Sequence, residues 1–209
     1  MGQNATGFRY LLGGLALALA ALALPMTAAE SLSMAAGREM SRATALRIGA
    51  GLGWWRGDLW GAYALAAAQQ ADETADAAGA ERAFRRAATR ALAIAPYQPM
   101  LWLALAKREQ GAPTSAGAFN AALKMAYYTA PGDETAMAIR LAMALSPAAA
   151  PDEELDELAR GDVRALLARG RIAELSAIYH SVAAGGRPFI ENAVRAMRPD
   201  LADRLVGPG

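Results

Sequence analysis

The chain has no cysteine and a single histidine, His180, among its 209 residues. The missing thiol excludes disulfides, thiolate nucleophiles, cysteine-based zinc sites and a bacterial lipoprotein anchor. One imidazole excludes a multi-histidine metal site within one chain, and a Ser–His triad would have to use His180. Aromatic residues make up only 7% of the chain, and Val and Ile are sparse beside Ala and Leu, so helix propensity is high and strand propensity low nearly everywhere. Charge of either sign is not in excess. The 21 Lys and Arg face 20 Asp and Glu, and without Arg9, the sole charge of the first 29 residues, the two signs balance. That balance gives no support to nucleic-acid or polybasic membrane binding. The motifs Gly-x-x-x-x-Gly-Lys, His-Glu-x-x-His and Gly-x-Ser-x-Gly are all missing. The nearest approach to the last, Pro113 to Gly117, lacks its first glycine and falls in a predicted helix–helix connection rather than after a strand. An all-α chain is the expectation, either one domain or one short solenoid with an appendage.

What is present begins with an apolar N-terminus. Leu11 to Leu24 is an unbroken run of Leu, Ala and Gly, 14 residues long, followed by Pro25 and by the small residues Thr27, Ala28 and Ala29 ahead of Glu30. The run is short for a membrane span but fits the apolar core of a secretory signal, with cleavage after Ala29. The alternative is an uncleaved anchor, since Phe8 to Ala29 supplies 22 residues with one charge near the start. In both readings residues 1–29 place the rest of the chain outside the cytoplasm, in a periplasm or tethered to an inner membrane. Met1-Gly2 with Thr6 also fits a myristoylation pattern, a short one that the apolar run directly behind it opposes.

The middle of the chain repeats itself. Phe84 and Phe119, Ala87 and Ala122, Ala91 and Ala126, Ala95 and Ala130, and Pro96 and Pro131 each stand 35 residues apart. Ala91 to Pro96 reads as the end of a second helix, and Trp102-x2-Leu105-Ala106 as the start of a first one; Trp60 holds the corresponding place earlier. The period and these residues resemble the tetratricopeptide-repeat family, whose units are helix pairs of about 34 residues. The resemblance covers roughly Asp58 to Leu145 and implies a short right-handed solenoid of antiparallel helix pairs. In that arrangement Trp60 and Trp102 are structural residues in equivalent buried slots, and Pro96 and Pro131 end the second helices. The predicted pairs are 58–75 with 80–94, 99–110 with 114–128, and a third opening at Asp133 as an N-cap and running to Ala144. Residues 148–209 are expected to form a degenerate helical cap over the apolar end.

Outside the repeat, a helix over 31–48 reads as an N-terminal cap, ended by a loop, up to residue 57, that contains Gly49, Gly51, Gly53 and Gly57. Gly-x-Gly-x-Gly invites a dinucleotide reading, but the fingerprint requires a preceding strand, and a helix precedes it here. Arg56-Gly57-Asp58 matches an adhesion tripeptide, but a loop with Asp58 as the next N-cap is the favoured explanation. Asp152, Glu153, Glu154, Asp156 and Glu157 could ligate a divalent cation, yet acidic residues are what the first turn of a helix favours, and no calcium-loop pattern accompanies them. Arg82, Arg85, Arg86 and Arg90 share a helix face, either solvated or facing an anionic polymer. His180 lies on a helix beside Tyr179, on one face with Ser176.

The resemblance also implies a concave groove lined by the first helix of each pair. The family's groove positions fall on Met100, Leu103, Lys107 and Gln110 in one pair, on Asp58, Gly61, Leu65 and Ala68 in the pair before, and on Thr135 and Ala138 in the third. Of these, Leu65, Met100, Leu103, Lys107, Gln110 and Thr135 are the candidate contacts to a protein or peptide partner. No catalytic residue, cofactor or metal is expected. The functional expectation is a non-enzymatic scaffold or accessory subunit of a bacterial envelope assembly, such as one serving polysaccharide or secretion. The rival readings are a membrane-complex subunit anchored by residues 8–29 and a helical enzyme using His180.

Overall fold

In a computed structural model the described residues are 42–110 and 116–206. The segment 1–29, the first part of the helix expected from residue 31, and Gly111 to Ser115 lie outside them. Ten α-helices and two 3-10 turns make up the described residues, with no strand among them. The chain divides after Pro96 into two compact units, within the 58–147 stretch that the repeat treats as one block.

The first unit holds α1 (Arg42–Leu52), α2 (Gly57–Glu73) and α3 (Ala77–Ile94). Its core is mostly alanine: Ala45, Ala50, Ala64, Ala67, Ala87 and Ala91 are all buried, around Phe84. Side chains this small let α2 and α3 approach closely. At Gly57 any Cβ would stand 2.6 Å from that of Ala95, so only glycine fits. Three boundaries differ from the sequence expectation. Helix α1 continues through Gly49 and Gly51, because Ala45, Leu46, Gly49 and Ala50 form one buried face whose packing outweighs glycine's low helix propensity. Asp58 is not an N-cap: α2 starts at Gly57, Arg56 is the capping position without a side-chain bond, and Asp58 pairs with Arg56 instead. Ala77 to Gly79 are helical, since Asp76 caps α3 by accepting the Gly79 N–H at 3.0 Å.

The second unit contains α4 (Pro99–Glu109), α5 (Ala116–Thr129), α6 (Glu134–Ala144), α7 (Glu153–Ala168), α8 (Ile172–Ser181), α9 (Arg187–Met197) and α10 (Ala202–Val206). Short turns at Ala184–Gly186 and Pro199–Leu201 connect the last three. Arg187 and Pro188 already stand in the first turn of α9, where the missing proline N–H costs nothing. Pro99 opens α4 in the same way. Asp133 caps α6 through the Thr135 and Ala136 N–H groups, at 2.9 and 3.2 Å, and Asp152 caps α7 through that of Leu155. Helix α7 ends at Gly170, φ +70°, in a paired closure: its N–H reaches Leu167 O at 3.0 Å and that of Arg171 reaches Leu166 O at 2.9 Å.

Successive helices pair, and alternate helices also touch: α4 meets α6 and α6 meets α8 on one side, α5 meets α7 and α7 meets α9 on the other. Two apolar clusters fill the space between them. One gathers Leu103, Phe119, Leu123 and Leu155, the other Met137, Leu141, Val163, Leu166, Leu175 and Ile190. Trp60 and Trp102 do not fill the enclosed slots expected of them. Both are half-buried and lie against the edges of their clusters. Trp60 spends its indole N–H on Trp54 O, 3.3 Å away, and the smaller Leu59 and Leu101 take the enclosed positions.

Between the two clusters sits a buried ion pair. Arg140 is 1% exposed and Asp162 3% exposed. The guanidinium donates from Nε to Asp162 Oδ2 at 2.7 Å and from Nη2 to Oδ1 at 2.5 Å. It also donates to the carbonyls of Ala130 and Pro131, at 2.7 and 2.8 Å, and lies 4.4 Å from the centre of the Tyr127 ring. Burial pushes the Asp162 carboxyl above the ordinary carboxylate range against the pull of Arg140, and it pushes the Tyr127 phenol up as well. With both partners buried, removing either one strands the other as an unpaired charge. Asp162→Ala is expected to cost about 3–5 kcal/mol in urea unfolding by stranding the guanidinium, and the combined Arg140→Met, Asp162→Leu variant to regain most of that loss.

Candidate functional site

The side of the second unit where α4, α6 and α8 meet carries an open groove of about 620 Å³. Its walls are Ala138, Ile139, Ala142 and Met143 from α6, and Glu174, Ala177, Ile178 and Ser181 from α8, with Gln110 at the end of α4. Helix α6 explains why it exists. Met137 and Leu141 turn into the core, while Ile139, 40% exposed, and the half-buried Met143 leave the helix apolar on a second face. Opposite, the small Ala177 and Ser181 of α8 leave space beside Glu174 and Ile178. Arg171 holds Glu174 on this wall by a 2.6 Å ion pair.

Of the sequence-predicted contacts, the groove includes Gln110 and Ala138. Met100, Lys107 and Thr135 are exposed on α4 and α6 without lining it, and Leu65 is exposed on α2 in the other unit. Leu103 is overturned as a contact: it is 3% exposed and packs in the cluster around Phe119 and Leu123, because the i+3 and i+4 positions of a short helix fall inside the wide stripe that α4 buries. Gly61 and Ala68 are likewise buried against their own neighbours. Sequence reasoning missed Ile139, Ala142, Met143, Ala177 and Ile178. The available signal was the near-continuous apolar character of 136–144, which exceeds what one buried stripe needs.

The remaining chemical candidates resolve individually. His180 is exposed, and its ring meets the edge of Tyr179 at 5.2 Å. Ser176 is buried and donates to Leu205 O at 2.9 Å, so its hydroxyl is committed to holding α10 and not to His180. Tyr179 donates to Glu191. Arg56 and Asp58 of the tripeptide pair with each other, and Arg56 holds the Asp58 carboxyl below its usual range. In the acidic stretch, the Lys124 ammonium lies 2.9 Å from both Asp152 and Glu154, and Tyr128 donates to Glu154. A lysine therefore occupies the place a cation would need. Asn120 completes this join of α5 to α7, donating to Ala150 O at 3.0 Å and accepting the Ala150 N–H at 3.3 Å.

These contacts hold both carboxyls below the ordinary range, Asp152 through Lys124 first and Glu154 through Tyr128 first, and hold the Lys124 ammonium above its own. A carboxyl depressed in the folded state contributes stability above its unfolded value, lost as pH falls through the folded one. Melting temperature is accordingly expected to fall from about pH 4 downward, and less steeply in Lys124→Met than in the wild type when melts are recorded between neutral and strongly acidic pH.

No protein family, curated protein or solved structure matches the chain.

Proposed function

We propose that the chain is a non-enzymatic interaction subunit, built as a short tetratricopeptide-like solenoid whose second unit captures an apolar helix or peptide of a protein partner in the groove between α6 and α8. The observation that carries this reading is the groove itself: an apolar channel of about 620 Å³ formed by helices two apart in sequence, with Ile139 presented to solvent. Alternation of the contacts, α4 with α6 with α8, supports the stacked-pair arrangement. Gln110, Glu174 and Ser181 supply a polar rim for orienting a bound backbone. Residues 1–29 export or anchor the chain, which suits an accessory subunit of an envelope assembly.

Ile139→Glu places a charge in the centre of the groove while leaving the buried Met137 and Leu141 untouched. A central groove contact of this kind is worth on the order of 1–2 kcal/mol or more, so co-purification of a partner from the native host should drop by about tenfold. Lys107→Glu should give a smaller loss and His180→Ala none. Loss with His180→Ala alone would replace this reading with the enzymatic one. Intact mass of the exported protein should start at Glu30; a mass that retains residues 1–29 identifies the anchored form.

A further inference from the structure

The first unit carries a second cavity of a different character. It has a volume of about 510 Å³ and is lined by Arg47 from α1, Trp60 and Tyr63 from α2, and Ala83, Arg86, Ala87 and Arg90 from α3. Trp60 and Tyr63 are one helical turn apart, with ring centres 6.4 Å from each other and both half-buried. Arg86 and Arg90 are likewise one turn apart, and Arg47 faces the same cavity from a different helix. Ala83 and Ala87 keep α3 low at this point, which gives the slot its depth.

The three arginines converge on one cavity without a counter-ion in its lining. Several arginines elsewhere in the described residues are matched with carboxylates, Arg56 with Asp58, Arg85 with Glu81, Arg140 with Asp162, Arg171 with Glu134 and Glu174, while others such as Arg82 and Arg195 are exposed singly on the surface. Among the described residues, Arg47, Arg86 and Arg90 have no carboxylate within pairing distance and no aromatic ring beneath them. Helix α3 does carry an acid, Glu81, but spends it on Arg85, outside the slot. Like charges at i,i+4 repel, so keeping Arg86 and Arg90 together without a counter-ion has a cost that a bound anion removes. Trp60 has already committed its indole N–H to Trp54 O, which leaves the ring face rather than the donor for a ligand. The only uncharged polar group in the lining is the Tyr63 hydroxyl. No Asp, Glu, Asn or Gln lines the slot, so it is poorly equipped to read the many hydroxyls of a sugar.

We infer that this slot binds a small phosphate ester carrying a flat ring, with Arg47, Arg86 and Arg90 holding the phosphate and Trp60 and Tyr63 receiving the ring. A phosphate offers acceptors enough for more than one guanidinium, which a single carboxylate does not. An aromatic face beside guanidinium groups suits a planar ring. The limited volume of this open slot, on a chain of balanced charge, points to one compact ligand rather than to a polyanion lying along a basic stripe.

The test is calorimetric titration of the full chain with adenosine monophosphate as the probe, and with inorganic phosphate and adenosine as its two halves. The nucleotide should bind saturably and about tenfold or more tighter than either half, because charge and ring are both used. Arg86→Glu should abolish binding at low salt, whereas Arg195→Glu, an exposed change on α9, should leave it intact; circular dichroism checks that both variants fold. Trp60→Phe, which keeps an aromatic face, should retain most of the affinity. The assignment fails if inorganic phosphate or adenosine binds as tightly as the nucleotide, if Arg86→Glu is silent, or if none of the three probes saturates. Saturable binding of single-stranded oligonucleotide without binding of the mononucleotide would overturn it in favour of a polymer site.

Discussion

The second unit depends on one guanidinium. Arg140 reaches three elements from α6: it clamps Asp162 on α7, takes the carbonyls of Ala130 and Pro131 that follow α5, and covers the Tyr127 ring. Each of those carbonyls has lost its place in a helical ladder, because α5 ends at Thr129 ahead of the proline. A planar fork of five donors satisfies carboxylate and carbonyls together, which a lysine cannot do. The angle between α5, α6 and α7 is therefore set by a polar contact with fixed geometry, at a point where the surrounding Ala, Leu and Met could pack in several ways. Burial of the ions makes the pair costly to break, because either partner left alone is a stranded charge.

The groove follows from that constraint. Once Arg140 fixes the roll of α6, Met137 and Leu141 must face the core and Ile139 must face out, since the three lie about 100° apart per residue around the helix. The small residues on α8 then leave a channel rather than a ridge. In the first unit the same economy of side-chain size has another outcome. Alanine at 83 and 87 brings α3 down beside α2, and the long side chains at 86 and 90 share the lining of the hollow with Trp60 and Tyr63. Both cavities arise where alanine sits beside a large residue. The two differ in chemistry because the large residues are Ile and Met in one, and Arg, Trp and Tyr in the other.

Much of the architecture was legible along the chain. The scarcity of β-branched and aromatic residues excluded strands, the cap Asp133, the acidic run from Asp152 and the prolines Pro99 and Pro131 marked helix ends, and those signals act within a few residues of themselves, so they survive folding unchanged. Asp58 and Gly49 were misleading for the same local reason. A nearby Arg56 offered Asp58 a stronger partner than the helix N-terminus, and a buried face on α1 outweighed two glycines. The groove positions were legible only in part: Gln110 and Ala138 line it, Leu103 does not.

By itself, then, the sequence determined that this protein is helical, where its helices start and stop to within a few residues, and which catalytic chemistries it has no residues to perform. These are consequences of composition and of contacts between neighbours in the chain. Only the tertiary structure decided which face of each helix is covered, that Arg140 and Asp162 meet across 22 positions, that Lys124 stands among the acidic residues of α7, and that Arg47 joins Arg86 and Arg90 around Trp60 and Tyr63. Such meetings depend on the rotation of each helix about its own axis, and in a chain so rich in alanine nearly every face is apolar enough to be buried, so periodicity alone leaves that rotation open.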